Sequence, residues 1–133
     1  MPMTGRVVAP GRARGAALVS DQPIGFYGGV DPTTGIVTDQ GHPLEGQCVS
    51  GRVLCFPCGK GSTVGSYVIY GLARHGVAPC AIVNHRTETI VAAGAILAGS
   101  PCVDGIDLHG IATGDLLEVA ADDGTDVATV RHV

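Results

Sequence analysis

The sequence has little positive charge, few aromatic residues and no long apolar run, and each shortage excludes a class of function. Its 133 residues include eight lysines and arginines against twelve aspartates and glutamates, a net charge of -4. With no tryptophan, three tyrosines and two phenylalanines, it offers neither a basic footprint nor a base-stacking platform for nucleic acid. No apolar run approaches the ~20 residues that cross a bilayer, and the N-terminus lacks the apolar core of a secretory signal. We therefore expect a cytoplasmic protein that binds neither nucleic acid nor membrane.

The share of charged residues is also low, at 15%, where about 25% is usual. So few charges indicate that part of the surface is covered by a partner. A length of 133 residues suits one domain with a hydrophobic core, and we assign 1–133 to a single domain. The 21 glycines and eight prolines follow no period, so they indicate turns between short elements.

Five cysteines are an odd number, and without an export signal we expect free thiols. Cys55 and Cys58 have Cys-x-x-Cys spacing, which is found in zinc and redox sites. A zinc ribbon needs a second such pair, and Cys48, Cys80 and Cys102 do not form one. Cys55 lies inside an apolar run, where a buried thiol is the usual outcome. A redox or metal module built on this pair stays open as an alternative.

The chain is organised around the stretch Cys58–Leu72, which reads CGKGSTVGSYVIYGL. It follows the apolar run Gly51–Pro57, whose β-branched and aromatic residues predict a buried strand. A helical pattern opens at Ser62 or Thr63, and either residue can cap the first amides. Free amides, the helix dipole and Lys60 together favour an anion at this turn. We predict that the turn is the working site.

The spacing of the glycines by itself does not identify the ligand. A P-loop requires Gly-x-x-x-x-Gly-Lys-Ser/Thr, but Gly61 follows Lys60 and Leu54 stands at the first glycine position. The dinucleotide fingerprint Gly-x-Gly-x-x-Gly is absent too. After Gly59 and Gly61 its third glycine would stand at position 64, but the next glycine is Gly65. An ordinary strand-to-helix turn with a capping serine therefore remains possible on spacing alone.

The rest of the chain predicts an α/β fold of two main helices and about eight short strands. Strands are expected at 5–9, 16–19, 36–38, 48–56, 77–84, 102–103, 116–121 and 127–130, and helices at 63–75 and 88–98. The first two strands suit a hairpin or meander whose loop, 10–15, carries solvated Arg12 and Arg14. The last two alternate about a turn and predict a closing hairpin. The β-α-β-α middle section predicts parallel pairing between antiparallel ends.

Two local patterns predict close packing. In the first helix Val64, Val68 and Leu72 form an apolar stripe. Gly65 and Gly71 each cost this helix roughly 1 kcal/mol of propensity. We therefore expect a neighbouring element to lie close to both glycines.

The loop from Gln22 to Gly35 contains two of the five aromatic residues, Phe26 and Tyr27. An aromatic side chain in a glycine-rich loop either anchors the loop on the core or faces a partner. We expect anchoring for both.

Three stretches carry a resemblance to a known family. They are FYGGVDPTTG at 26–35, FPCGKGSTVGSYV at 56–68 and TETIVAAGAI at 87–96. On these stretches the chain resembles the small subunits of the two-subunit aconitase X family, particularly those of its phosphomevalonate dehydratase group. The resemblance extends from about Gly5 to Val119.

The resemblance implies a fold, a partner and a reaction. It implies the swivelling β/β/α domain of aconitase, docked on a large subunit that holds the iron–sulfur cluster, with the active site between them. The cluster cysteines would belong to the large subunit, so this chain would supply no metal ligand. The reaction would be the dehydration of a small anionic hydroxy acid, with 5-phosphomevalonate favoured and cis-3-hydroxy-L-proline as the alternative.

The resemblance also implies roles for residues of the glycine turn. The family's proton-abstracting serine corresponds to Ser62. A serine is a poor base unless its alkoxide is stabilised, and amides at a helix start with nearby Lys60 can supply that stabilisation. The same groups, Lys60, Gly61 and Thr63, are expected to bind the substrate's carboxylate or phosphate. A non-catalytic regulatory subunit, in which Ser62 is only a helix cap, remains the other alternative.

Overall fold

The structure, a computed structural model, describes residues 2–133. Within them lie seven strands, two longer helices and two short helical turns. The strands are β1 (Met3–Ala9), β2 (Gly11–Val19), β3 (Val53–Phe56), β4 (Ala81–Asn84), β5 (Cys102–Asp104), β6 (Leu116–Ala121) and β7 (Val127–His132). The helices are the kinked turn α1 (Phe26–Gly29), α2 (Gly65–Arg74) and α3 (Thr89–Ala98), with a 3₁₀ turn at Leu108–Gly110. In this part of the chain no helix has the length and apolar character needed to cross a membrane.

The strands form a closed barrel in the order β1-β5-β4-β3-β2-β6-β7, which closes where β7 pairs with β1. The four strands from β2 to β5 run parallel. The remaining pairs are antiparallel. The predicted α/β fold, with parallel pairing in the middle and an antiparallel closing hairpin of β6 and β7, is confirmed.

The hairpin predicted at the start of the chain is wrong. β1 pairs with β5 and β7, whereas β2 pairs with β3 and β6, so the first two strands do not pair with each other. The predicted loop 10–15 is mostly strand, because β2 begins at Gly11. Arg12 and Arg14 are therefore not merely solvated: they form ion pairs with Asp122 (2.9 Å) and Glu118 (2.6 Å).

Several other boundaries differ from the prediction. The expected strand at 36–38 is reduced to isolated bridges between Ile36 and Cys48 and between Val30 and Val37. The strand expected at 48–56 begins only at Val53, because a turn precedes it. The strand expected at 77–84 starts at Ala81, and β5 runs one residue further than predicted. Seven strands thus replace the eight expected ones among residues 2–133.

The core has two layers, one inside the barrel and one between the barrel and the helices. Both are visible on β3, where side chains alternate between the two faces of the sheet. Val53 and Cys55 belong to the cluster inside the barrel. Leu54 and Phe56 belong to the cluster that the helices cover. This alternation explains why the whole strand is apolar, since both of its faces are buried.

Helices α2 and α3 pack against each other beside the barrel, and small residues permit the close approach. A Cβ on Gly65 would lie 3.2 Å from Ile90 Cγ2, and one on Gly71 would lie 3.2 Å from Pro32 Cβ, as the cost of these glycines predicted. The Ser66 hydroxyl donates a hydrogen bond to the Ile90 carbonyl oxygen (2.7 Å). The predicted stripe is partly wrong: Val64 precedes the helix and its side chain is 42% exposed.

Candidate functional site

The glycine turn, residues 58–64, connects β3 to α2 and is held on one side by the segment that precedes α1. Ile24 donates its amide to the Cys58 carbonyl (3.2 Å) and accepts the amide of Lys60 (3.0 Å). These two bonds form a short parallel bridge between Ile24 and Gly59. The glycine-rich loop at 22–35 and the glycine turn therefore lie side by side, although more than twenty residues separate them in the sequence.

On its other side the turn lies against the start of α3. Glu88 caps that helix, because its carboxylate accepts the amides of Ile90 (2.9 Å) and Val91 (2.8 Å). A Cβ at Gly59 would collide with this carboxylate and would lie 2.6 Å from Val91 Cγ2. Only glycine fits at position 59 while Glu88 keeps its capping position. The turn is thus fixed by contacts with two elements that come before and after it.

Ser62 lies exposed in the turn, three residues before the start of α2, and its hydroxyl oxygen accepts a hydrogen bond from the amide of Val64 (3.1 Å). Its carbonyl oxygen accepts the amide of Gly65 (3.0 Å). The predicted cap is partly wrong, because Val64 holds the cap position and α2 begins at Gly65. The side chain of Ser62 nevertheless binds a backbone amide, as a capping serine would.

The residues predicted to bind substrate surround Ser62. Lys60, Gly61 and Thr63 are all exposed, and Gly61 has a φ of +92° that only glycine adopts readily. Among residues 2–133, the amides of Gly61, Ser62 and Thr63 donate to no backbone carbonyl. The Lys60 stem lies over Gly25, where a Cβ would be 3.4 Å from Lys60 Cγ. Exposed amides beside an ammonium group form an arrangement that can bind an anion.

The two loop aromatics have different roles, so the expectation for Tyr27 is wrong. Phe26 is buried and packs edge-to-face on Phe56, with ring centroids 5.8 Å apart. Tyr27 is 63% exposed. Gly65, at the start of α2, lies next to both, since its Cβ would be 3.7 Å from Phe26 Cβ and 3.9 Å from the Tyr27 amide nitrogen. Phe26 anchors the loop on the end of β3, which leaves Tyr27 on the surface beside the glycine turn.

A separate cleft opens at the carboxyl ends of the parallel strands, and sequence analysis missed it. Its volume is about 530 Å³, and it is lined by residues that follow β2, β3, β4 and β5, among them Ser20, Pro57, His85 and Gly105. No sequence motif marks the cleft, because its lining comes from four separate segments, at 19–21, 57, 85 and 105–109. Pro57 also belongs to the segment that enters the glycine turn, so the cleft and the turn lie at the same end of the barrel.

Comparison with known proteins decides the family. The aconitase X swivel domain family matches residues 2–129. The chain belongs to this family. The chain is 54% identical to the phosphomevalonate dehydratase small subunit of Thermococcus onnurineus over 124 residues, which cover 93% of this chain and 95% of that protein.

Solved structures agree with this assignment. The swivel domain resembles the crystal structure of Thermococcus kodakaraensis aconitase X in its holo form, with a TM-score of 0.92 and 47% identity over 99% of each chain. It also resembles the solution NMR structure of a UPF0107 protein, with a TM-score of 0.88 and 45% identity over 100% of this chain and 99% of that one. The family resemblance inferred from the three sequence stretches is confirmed.

Membership in the aconitase X family places this swivel domain in the context of an iron–sulfur enzyme, so its own residues must be tested as cluster ligands. Cys55 points into the barrel, and burial raises the pKa of its thiol to about 12. Burial likewise raises the pKa of Cys102 to about 12. Across residues 2–133 no three His, Cys, Asp or Glu side chains come together as a metal site. Cys55 faces the barrel interior and Cys58 follows the end of β3, so the residues from 2 to 133 do not fit a cluster.

Proposed function

We propose that this chain is the small subunit of a two-subunit phosphomevalonate dehydratase, a hydro-lyase, and that it supplies the catalytic serine. The observation that carries the proposal is the position of Ser62: exposed, next to unbonded amides, in a turn fixed on both sides. The names of its relatives, which are phosphomevalonate dehydratase small subunits at about half identity, support the same assignment. We place the enzyme in the cytoplasm and take 1–133 as one swivel domain.

In this proposal Ser62 takes a proton from carbon. A hydroxyl oxygen becomes a competent base only when its anionic form is stabilised, and the Val64 amide already donates to this oxygen at 3.1 Å. The adjacent free amides and Lys60 add positive potential at the same place. They would also hold a negatively charged group of the substrate close to Ser62. We assign only the proton transfer and anion binding to this chain.

The partner in this proposal is the aconitase X large subunit, which we assign as the holder of the iron–sulfur cluster. We propose that the partner docks on the face that carries the loop 25–35 and the turn 59–63. Three large side chains are exposed on or beside this face: Tyr27, Val64 at 42% and Tyr67 at 70%. Exposed aromatic groups in a chain of low charge are typical of a protein–protein interface.

The proposal is tested by reconstitution. The chain is co-expressed with an aconitase X large subunit, the complex is isolated by size-exclusion chromatography, and turnover is measured with (R)-5-phosphomevalonate. We expect co-elution and formation of an anhydromevalonate phosphate, with no turnover by this chain alone. Turnover of cis-3-hydroxy-L-proline in place of phosphomevalonate would contradict the substrate assignment. Separate elution at micromolar concentration would contradict the subunit assignment.

A further inference from the structure

The chain contains eight lysine and arginine side chains, and the structure gives six of them an internal role. Arg52 donates to backbone carbonyls, and Arg74 lies in the last turn of α2. Four more form ion pairs with carboxylates: Arg6, Arg12, Arg14 and Arg131. The two that remain are Lys60, the single lysine of the chain, and Arg86. Neither is part of an ion pair within residues 2–133.

These two cations lie at the same end of the barrel. β3 and β4 are parallel neighbours with Phe56 opposite Asn84, so Lys60 and Arg86 both follow the carboxyl ends of adjacent strands. The Arg86 amide donates to the Pro57 carbonyl (3.0 Å), at the entry to the glycine turn. Ligands of parallel sheets are bound at the carboxyl ends of the strands.

The carboxylates next to Arg86 in the chain already have other partners. Glu88 uses its carboxylate to cap α3 and lies against Gly59. Asp104 accepts two hydrogen bonds from Arg6 (3.0 and 2.8 Å) and one from the Thr87 amide (2.9 Å). Within residues 2–133 the guanidinium group of Arg86 thus makes no ion pair, in a chain whose net charge is -4.

From this arrangement we infer that Arg86 is a substrate-binding residue, which with Lys60 holds an oxyanion of the substrate, a carboxylate or a phosphate group. The inference rests on the proposed function. A guanidinium group donates two parallel hydrogen bonds to such an anion, whereas an ammonium group acts as a point charge. A guanidinium group stays protonated and has no acceptor atom, so the role of Arg86 is to bind and orient the substrate, not to take the proton.

The inference is tested by steady-state kinetics of the reconstituted complex with Arg86→Ala, Arg86→Lys and the control Arg74→Ala. Loss of an interaction that is equal in ground and transition state raises KM and leaves kcat unchanged. We expect Arg86→Ala to raise KM for 5-phosphomevalonate about tenfold or more, with kcat changed less than about threefold. Arg86→Lys should restore part of the loss, and Arg74→Ala should match wild type.

Two further measurements identify the anion and separate the claims. Unphosphorylated mevalonate, used as a competitive inhibitor, should bind wild type and Arg86→Ala equally if Arg86 holds the phosphate. It should bind Arg86→Ala more weakly if Arg86 holds the carboxylate. Calorimetric binding of 5-phosphomevalonate and inorganic phosphate to the complex requires no turnover. If an assembled Arg86→Ala complex has a KM and a Kd within about twofold of wild type, the inference about Arg86 is overturned. If the wild-type complex binds these anions but does not turn over 5-phosphomevalonate, only the proposed function is contradicted.

Discussion

Gly94 of α3 lies against Ile69 of α2 with no room for a methyl group between them. A Cβ at Gly94 would be 2.7 Å from Ile69 Cδ1 and 2.9 Å from Ile69 Cβ. Ile69 is fully buried, so it cannot move aside without disturbing the layer between the helices and the barrel. The contact sets how closely the two helices approach, and both helices begin beside the glycine turn.

We predict that Gly94→Ala destabilises the protein although alanine is the better helix former. Alanine gains about 1 kcal/mol of helix propensity, but overpacking a core costs typically 1–3 kcal/mol. We expect a net loss of about 1 kcal/mol in the free energy of unfolding, measured by urea denaturation. Gly71→Ala is the matched control, because its Cβ would meet only Pro32 Cβ, at 3.2 Å. A Gly94→Ala protein more stable than wild type would contradict the packing described here.

The reactivity of the cysteines should follow their burial. Iodoacetamide at pH 8 should modify exposed Cys48 first, while Cys55 and Cys102 should react only after denaturation, because burial raises the pKa of each to about 12. Peptide mass spectrometry of the labelled protein checks the order. Rapid labelling of Cys55 in the native protein would contradict its position inside the barrel and would support a Cys55–Cys58 redox pair.

Stability in acid should depend on Glu118. Hydrogen bonds from Arg14 and then Arg131 lower the pKa of Glu118 from 4.5 to about 2, and join β2, β6 and β7. A carboxylate with a lowered folded-state pKa contributes stability above its unfolded pKa, and this contribution is lost as the pH falls through the folded value. Thermal unfolding between pH 5 and 2 should therefore show a shallower pH dependence for Glu118→Gln than for wild type. Parallel curves would contradict the ion-pair network.

The sequence predicted the elements that are determined locally. Consecutive apolar residues predicted the strand at Val53–Phe56. Glu88, followed by small apolar residues, predicted α3. The mixed parallel and antiparallel pairing followed from the order of helices and strands, and the stretch around Ser62 indicated the family.

The parts that were predicted wrongly, or not predicted at all, depend on residues far apart in the sequence. Arg12 and Arg14 looked like loop residues because their partners, Asp122 and Glu118, lie over a hundred residues away. Pairing between distant strands also explains why the barrel closes through β1 and β7, and why β1 does not pair with β2. The position of Arg86 beside the glycine turn required the register of β3 and β4.

Ser62 is the catalytic base if this chain is a catalytic subunit, and only a helix cap if it is a regulatory subunit. Thr63→Ala is the matched control, since Thr63 is exposed in the same turn and its hydroxyl is not the proposed base. A lost general base lowers the rate by about 10²–10⁴, whereas a lost cap costs ~1 kcal/mol of stability and leaves kcat almost unchanged.

The most direct measurement is kcat of the reconstituted Ser62→Ala complex with 5-phosphomevalonate, compared with wild type and Thr63→Ala. We predict that kcat and kcat/KM fall together, by about a hundredfold or more, while the complex assembles normally and Thr63→Ala stays far more active. A Ser62→Ala complex that keeps more than about a tenth of wild-type kcat, a barrier change below ~1.4 kcal/mol, would contradict the catalytic role of Ser62.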